Sequence, residues 1–301
     1  MKNSIPPLVS IITLNYNQTD ITCEFLESTK MLSYPNYEIL VVDNNSDISP
    51  KEQIDIGDYP NTRLIASDTN LGFTGGNNLG MREAQGDFVF IVNNDTEVTE
   101  NLLEELLAPF STDDSVGVVS PKIKFYSHPD IIQYAGFKPI NPFTGRTGAV
   151  GNGEEDKGQH DELAETYGAH GAAMMVKRKV IEEVGKFADN FFIYYEEWDW
   201  STRIRKAGYK IYYQPKAEIY HKESITMGKE SAIKAYYHTR NRILYMRRNS
   251  KRFQFLVFTM FFTLMVTPKA MFRYLSNAQF EHLRAFFKGV TWNFTSASIS
   301  N

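Results

Sequence analysis

The sequence has little of what marks secreted or membrane-embedded chains. It holds one cysteine, Cys23, so no disulfide can close within the chain and a reducing compartment is the natural setting. Its opening residues, MKNSIPPLVSIITLNY, run into an apolar strand without the h-region and cleavage site of a secretory signal. No internal repeat or low-complexity tract is present, and no G-x-G-x-x-G fingerprint, which argues against a dinucleotide cofactor. The apolar run FQFLVFTMFFTLMV, ahead of Pro268, has fourteen residues. A helix needs about 20 to cross a bilayer, so this run reads as a core helix or an interfacial segment. Asn293-Phe294-Thr295 matches a glycosylation sequon, a coincidence in a cytosolic chain.

What is present fits one large α/β domain, alone or with an appendage: 301 residues, 42% hydrophobic and 23% charged. The net charge of −4 conceals an asymmetry. From Tyr236 onward there are ten Lys/Arg against one acid, Glu281, while the preceding 235 residues carry 22 bases and 35 acids. A basic, aromatic-rich tail on an acidic body predicts an anionic surface as partner. A membrane fits better than nucleic acid, because six of the bases lie between Arg240 and Arg252, directly before the apolar run. Packing of that run on the catalytic domain, or against a second copy in a homodimer, is the alternative.

Along the first 120 residues, strand and helix signals alternate. Val9–Leu14, YEILVVDNNS, TRLIAS and DFVFIVNND read as strands, and QTDITCEFLESTKML and Glu100–Phe110 as helices, with signals for the latter at Thr96–Thr99. NLGFTGGNNLGMREAQ reads as a Gly-rich turn leading into a helix. This alternation predicts a parallel, doubly wound sheet. Gly136–Gly168, rich in Gly, Pro and acids, reads as a long loop or hairpin facing the substrate. GAHGAAMMVKRKVIEEVGKF follows as a small-residue strand and a helix.

Polar residues gather where such a sheet binds ligands. Asn15, Asp43 and the triplet Asn93-Asn94-Asp95 each follow an apolar strand. Asn and Asp also favour turns and caps for local reasons, but three such groups at one sheet edge point to a ligand site beyond the strands' carboxyl ends.

The segments VSIITLNYN, YEILVVDNNS, NLGFTGGNN, GDFVFIVNNDT, YYEEWDWSTRIRKAGY and AEIYH, in that order, resemble the family 2 glycosyltransferases. These are inverting enzymes of the GT-A fold that use nucleotide-sugar donors, and the similarity leans toward the bacterial rhamnosyltransferase-like branch. It covers roughly Pro7 to Asn249. The resemblance implies a GT-A catalytic domain over 1–235, its nucleotide-sugar half about 1–120 and its acceptor half about 121–235, followed by a helical, membrane-associating tail over 236–301.

The resemblance also implies roles. Asp43 would meet the nucleotide base, with Thr13 and Asn15 near it, and the stretch around Asn70, Gly75, Gly76 and Asn77 would let backbone approach the donor. Asn93-x-Asp95 stands where the family has Asp-x-Asp, with Asn94 between. Asp95 would hold Mg2+ or Mn2+ and Asn93 a ribose or a metal-bound water, the amide lowering the charge offered to the cation. His221, 24 residues past Glu197, would complete the metal shell. Glu197 takes the place of the family's aspartate base, with Glu196 and Asp199 beside it to raise its pKa. The plain alternative for the three acids is a helix N-terminus that favours negative charge. Trp198 and Trp200 are left between a sugar platform and core, and His128, His160 and His170 read as surface or packing residues.

The implied function is cytoplasmic, peripheral on the inner face of the membrane: transfer of a sugar from a nucleotide donor to a glycan or lipid-linked acceptor in surface polysaccharide synthesis, without nucleic acid as partner. Two rivals stand. A sugar-phosphate nucleotidyltransferase would carry a Gly-rich, basic loop after its first strand, and TLNYNQTD has none. A non-catalytic glycan- or nucleotide-binding relative would explain why Asn93 and Glu197 depart from the usual acids.

Overall fold

The protein is described from a computed structural model covering residues 6–59, 61–222 and 231–295. The first half alternates as expected: β1 (Val9–Asn15), α1 (Thr19–Thr29), β2 (Tyr37–Asp43), α2 (Lys51–Ile56), β3 (Thr62–Ala66), α3 (Gly72–Glu83) and β4 (Phe88–Val92). These four strands lie parallel in the order β3-β2-β1-β4. β1, β2 and β4 are covered on both faces, which is why they read as unbroken Val/Ile/Leu runs. Register aligns their carboxyl ends, pairing Asn15 with Asp43.

The parallel arrangement expected from the first 120 residues holds for these four strands, while past β4 the sheet becomes mixed. The elements are β5 (Thr96–Val98), α4 (Leu102–Thr112), β6 (Val116–Phe125), β7 (His128–Tyr134), β8 (Ala164–Glu165), β9 (Ala173–Lys177), α5 (Arg178–Val184), α6 (Glu196–Lys206) and β10 (Lys210–His221). The main order is β3-β2-β1-β4-β9-β6-β10-β5, with β7 on β6 and β8 on β10. β6 and β10 run parallel to each other, and β9 runs antiparallel to β4 and β6. A parallel neighbour needs a crossover that returns the chain to the strand's starting end. The long excursion before β9 instead re-enters from the opposite end. Within it, residues 131–155 form a hairpin, with Phe137 bridging Ala149 and a tip at Asn141–Arg146, and the rest of the stretch to Gly168 carries β8 onto β10.

Two further expectations change. Thr96–Val98 is a strand rather than a lead-in to a helix, because Thr96 and Val98 pair with His221 and Ile219 of β10, a long-range contact that local pattern cannot display. The Gly-rich turn is not a turn: α3 begins at Gly72, started by Asn70 Oδ1, which accepts the Gly72 N–H at 2.9 Å. At Gly76 a Cβ would come within 2.8 Å of Asn44 Nδ2, so that glycine lets α3 pack on the β2 tip.

The last part is helical: α7 (Ala232–Asn249), α8 (Arg252–Phe261), a π-helical turn Phe262–Val266, α9 (Thr267–Ser276) and α10 (Phe280–Thr295). The apolar run does not stop at Pro268. The helix continues from Arg252 to Ser276, because the π turn accommodates the proline and Thr267 Oγ1 caps the Phe262 carbonyl at 3.1 Å. Two apolar cores flank the sheet, and a third, with Phe191, Trp198, Leu244, Met246, Phe258 and Phe286, joins α6 to the helical region.

Candidate active site

The strand tips form one connected polar surface. Asn15 Nδ2 and the Ser46 hydroxyl donate to Asp43 Oδ1 at 2.8 and 2.5 Å, which fixes the buried carboxylate on one side. Thr22 Oγ1 donates to Asn15 Oδ1 at 2.8 Å, and Asn94 Nδ2 donates to Thr22 Oγ1 at 3.0 Å. A single chain of hydrogen bonds therefore runs from the β4 tip to the β2 tip. Thr13 and Asn77 are fully buried, and Thr13 Oγ1 and Asn77 Oδ1 have no partner. Asn93 uses its backbone: its N–H donates to the Ala172 carbonyl at 2.9 Å and its carbonyl accepts from Thr96 Oγ1 at 2.8 Å. Gly75 lies inside α3, where a Cβ would meet Leu71 at 2.8 Å.

Asp95 and His221 are brought together by the β5–β10 pairing, which sets Thr96 opposite His221 and joins the Lys222 N–H to the Asp95 carbonyl at 2.8 Å. Asp95 Oδ1 and His221 Nε2 are 3.1 Å apart and buried, yet neither has a hydrogen-bond partner. The other ring nitrogen, Nδ1, lies 2.8 Å from Gln133 Oε1. With that amide oxygen as acceptor, the proton sits on Nδ1 and Nε2 presents a lone pair to the carboxylate. Two acceptors aimed at one point, with the histidine oriented by a carbonyl oxygen, fit a divalent cation. Among the described residues no group of three or more His, Cys, Asp or Glu forms a metal site, so phosphate and water oxygens would have to complete the shell.

The acids of YYEEWDW open α6 as the sequence predicts, but they separate into two sets. Glu196 is buried and Glu197 half-buried, each with an unpartnered Oε2. Burial drives both carboxyls up, Glu197 to about 7 despite lowering by the backbone N–H groups of the helix start, and the neighbouring Glu197 charge pushes Glu196 further. Asp199 is engaged elsewhere. Its Oδ2 accepts from Arg203 Nε at 2.9 Å, and its Oδ1 from Arg248 Nε and Asn249 Nδ2 at 2.9 Å each. It ties α6 to α7.

Two residues were not visible to sequence reasoning. His170, expected at the surface or in packing, stacks on Phe137 at 5.6 Å and 12°, and its ring stands 6.4 Å from that of His221. The Ala172 N–H donates to its Nδ1 at 3.1 Å, leaving the proton on Nε2, and burial lowers its pKa to about 3. Phe137 in turn packs on Trp198, so contiguous rings lead from His221 to the start of α6. Gln133, on β7, orients His221. No spacing in the sequence links these residues. The two tryptophans resolve to core, Trp200 Nε1 donating to the Gly185 carbonyl at 2.7 Å. His160 sits 3.0 Å from Glu154 and His128 is exposed.

A family profile described as "Glycosyl transferase family 2" matches residues 10–185. The chain is similar to the low-salt glycan biosynthesis hexosyltransferase Agl10 of Haloferax volcanii, at 26% identity over 78% of this chain and 74% of that protein. It is also similar to the N-acetylglucosaminyl-diphospho-decaprenol L-rhamnosyltransferase of Mycobacterium tuberculosis, at 24% over 75% and 79%. An uncharacterized protein, y4gI, of Sinorhizobium fredii is 29% identical over 83% of this chain, which spans 28% of that relative's length. In fold, the chain resembles the mannosyltransferase PcManGT of Pyrobaculum calidifontis, solved with GDP-Man and Mn2+, at a TM-score of 0.60 and 15% identity over 98% of this chain and 89% of that one.

Proposed function

The chain belongs to glycosyl transferase family 2, and from that premise we propose that it transfers a sugar, with inversion, from a nucleotide-diphosphate donor to a glycan or lipid-linked acceptor in surface polysaccharide synthesis. Relatives in glycan and polysaccharide biosynthesis support the acceptor class. The observation that carries the reading is the buried Asp95–His221 pair, two unpartnered acceptors at the tip of a nucleotide-binding sheet.

In this reading Asp43 accepts from the donor base, held in place by Asn15 and Ser46, while Thr13 and Asn77 offer their unpartnered oxygens nearby. Asp95 and His221 hold Mg2+ or Mn2+, the imidazole favouring Mn2+. When bound, the cation neutralises the diphosphate and makes it a better leaving group. Glu197 as carboxylate takes the proton of the acceptor hydroxyl while that oxygen bonds to the anomeric carbon from the face opposite the diphosphate. The bond from that carbon to phosphate breaks, and nucleoside diphosphate leaves. A carboxyl with a pKa of about 7 suits a base that must also release its proton near neutrality.

The protein works from the cytoplasmic side of the membrane, held at the lipid surface by α8–α10. The sixteen residues between Arg252 and Lys269 carry no charge. The helix Arg252–Ser276 is long and apolar enough to cross a membrane by length and composition, but at 1.5 Å each its uncharged residues reach about 24 Å, short of the ~30 Å hydrocarbon core, and in this reading it lies in the interface.

The test is a panel of nucleotide sugars, each measured for thermal stabilisation with and without Mn2+ and then for donor turnover. A donor that stabilises only with Mn2+ and is then consumed supports the reading. Stabilisation by none of them, in either condition, removes it.

A further inference from the structure

Between Asn190 and the start of α6 the backbone adopts a shape its side chains resist. Phe192, Tyr194 and Tyr195 have φ of 67°, 70° and 71°, left-handed values that aromatic residues rarely take. Carbonyls in such a turn lack regular partners, yet each one here is satisfied. Arg240 Nη2 donates to the carbonyls of Asn190 and Phe191, both at 2.6 Å. The Thr74 N–H donates to that of Phe192 at 3.0 Å. Asn241 Nδ2 shares its two hydrogens among the carbonyls of Phe191, Ile193 and Tyr194 at 2.9, 2.7 and 2.8 Å. Its Oδ1 accepts from Arg240 Nε at 2.8 Å, which fixes the amide's orientation.

Asn241 is fully buried in the middle of α7, where asparagine is a poor helix former. An apolar residue there would pack, but it would leave the carbonyls of Ile193 and Tyr194 without the donor that satisfies them, while Phe191 would keep Arg240. The turn ends at Tyr195, and Glu196 and Glu197 follow at once.

We propose that Asn241, braced by Arg240, is a positioning residue for the reaction: it holds the Phe192–Tyr195 turn in its left-handed form and thereby fixes where α6 presents Glu197. Helix α7 is then part of the catalytic architecture rather than the root of a membrane tail. The inference rests on Glu197 as the base, so its test includes a readout independent of transfer.

That readout is the titration of the Glu197 carboxyl in full-length protein carrying 13C-labelled glutamate, its signal assigned by loss in Glu197→Gln. The titratable and charged groups around it are Glu196 on the same turn, Tyr194 and Tyr195 before it, His238 of α7, whose ring stacks on Tyr194 at 4.2 Å, and Arg242 and Arg146 behind Tyr195. In Asn241→Ala the midpoint is expected to fall by about one pH unit or more as the turn relaxes and water reaches the carboxyl. Turnover of the nucleotide sugar that best stabilises the protein should fall roughly thirtyfold or more, with its KM within about twofold. Adding Tyr194→Gly, which takes positive φ freely, should restore part of both. An unchanged midpoint in folded Asn241→Ala, or no recovery on adding Tyr194→Gly, overturns the proposal. If Asn241→Ala does not fold, hydrogen exchange of the wild type decides. Amides of residues 193–198 should be protected like those of β4, and exchange as fast as in exposed loops overturns the proposal. Near-normal transfer by Glu197→Gln would remove the base assignment instead, a result the titration does not depend on.

Discussion

Asp95 Oδ1 and His221 Nε2 face each other at 3.1 Å, and with Gln133 Oε1 accepting from Nδ1 of the ring the facing nitrogen presents a lone pair to the carboxylate. A cation between these two acceptors relieves that opposition, and the first prediction follows from it. Asp95→Asn should abolish Mn2+-dependent nucleotide binding and reduce transfer at least about a hundredfold, since no other strand-tip acid can replace it. Gln133→Leu should weaken Mn2+ binding about tenfold by freeing the ring to turn. Isothermal titration of Mn2+ with the bound nucleotide checks both. Unchanged Mn2+ affinity in Asp95→Asn would reduce the pair to a structural contact.

The second prediction is a pH dependence. The base acts as carboxylate, and burial has raised Glu197 to about 7, so the active form is lost as pH falls through 7 rather than through the ordinary carboxylate range near 4.5. Turnover should then drop about tenfold per unit below pH 7. Glu197→Gln should lower transfer roughly a hundredfold, flatten that limb and leave donor affinity intact. A limb that persists in Glu197→Gln would move the base to Glu196.

The third prediction separates Asp199 from its neighbours. Its carboxylate is 1% exposed and meets Arg203 and Arg248. Asp199→Asn removes the charge that Asp199 sets against Arg203 and Arg248 and should cost about 3 kcal/mol of stability, read by denaturant unfolding. Glu197→Gln should cost little or even stabilise, because it removes a half-buried carboxyl that resists ionisation. Equal losses in the two variants would contradict the division of roles.

The parallel half was legible because doubly buried strands produce continuous apolar runs, and Asn15, Asp43 and Asp95 stand out where those runs end. The other half was not, for physical reasons visible in single residues. β5 is three residues long and exists only through its pairing with β10, so nothing local announces it. The glycines of NLGFTGGNN read as turn formers, yet Gly76 is small to admit Asn44, a packing demand set by a residue 32 positions earlier, just past β2. Asn241 gives a faint signal, a poor helix former amid an otherwise good helix, whereas His170 gives none. The tail's basic residues misled most. Arg240, Arg242, Arg247 and Arg248 read as a lipid-facing cluster, but their guanidinium groups donate inward, to the Phe191 carbonyl, the Thr144 carbonyl, the Asn293 carbonyl and Asp199.

That correction shapes the last prediction. Of the six bases before the apolar run, only Lys251 and Arg252 are exposed, and electrostatic attraction to lipid must come from them together with Lys269, Arg273, Arg284 and Lys288. The apolar contribution comes from Phe253, Leu256, Met260 and Leu264, each more than half exposed. Removing the helices would be a poor test. α10 packs on α7 so closely that a Cβ at Gly289 would come within 2.7 Å of the Tyr236 carbonyl, so a chain cut after Asn249 should aggregate. Point changes on the exposed face avoid this. Leu256→Glu with Leu264→Glu should leave the unfolding temperature within a few degrees, since neither side chain is core, and should weaken binding to phosphatidylglycerol vesicles by more than about a hundredfold. Lys251→Glu with Arg252→Glu should weaken binding less, and its effect should fade as salt rises, because those charges act through a screened surface potential. Vesicle co-sedimentation at two salt concentrations distinguishes the two terms. If Leu256→Glu with Leu264→Glu binds vesicles like the parent protein, the apolar face is not what meets the membrane, and a second copy of the chain becomes its partner, which sedimentation velocity would detect.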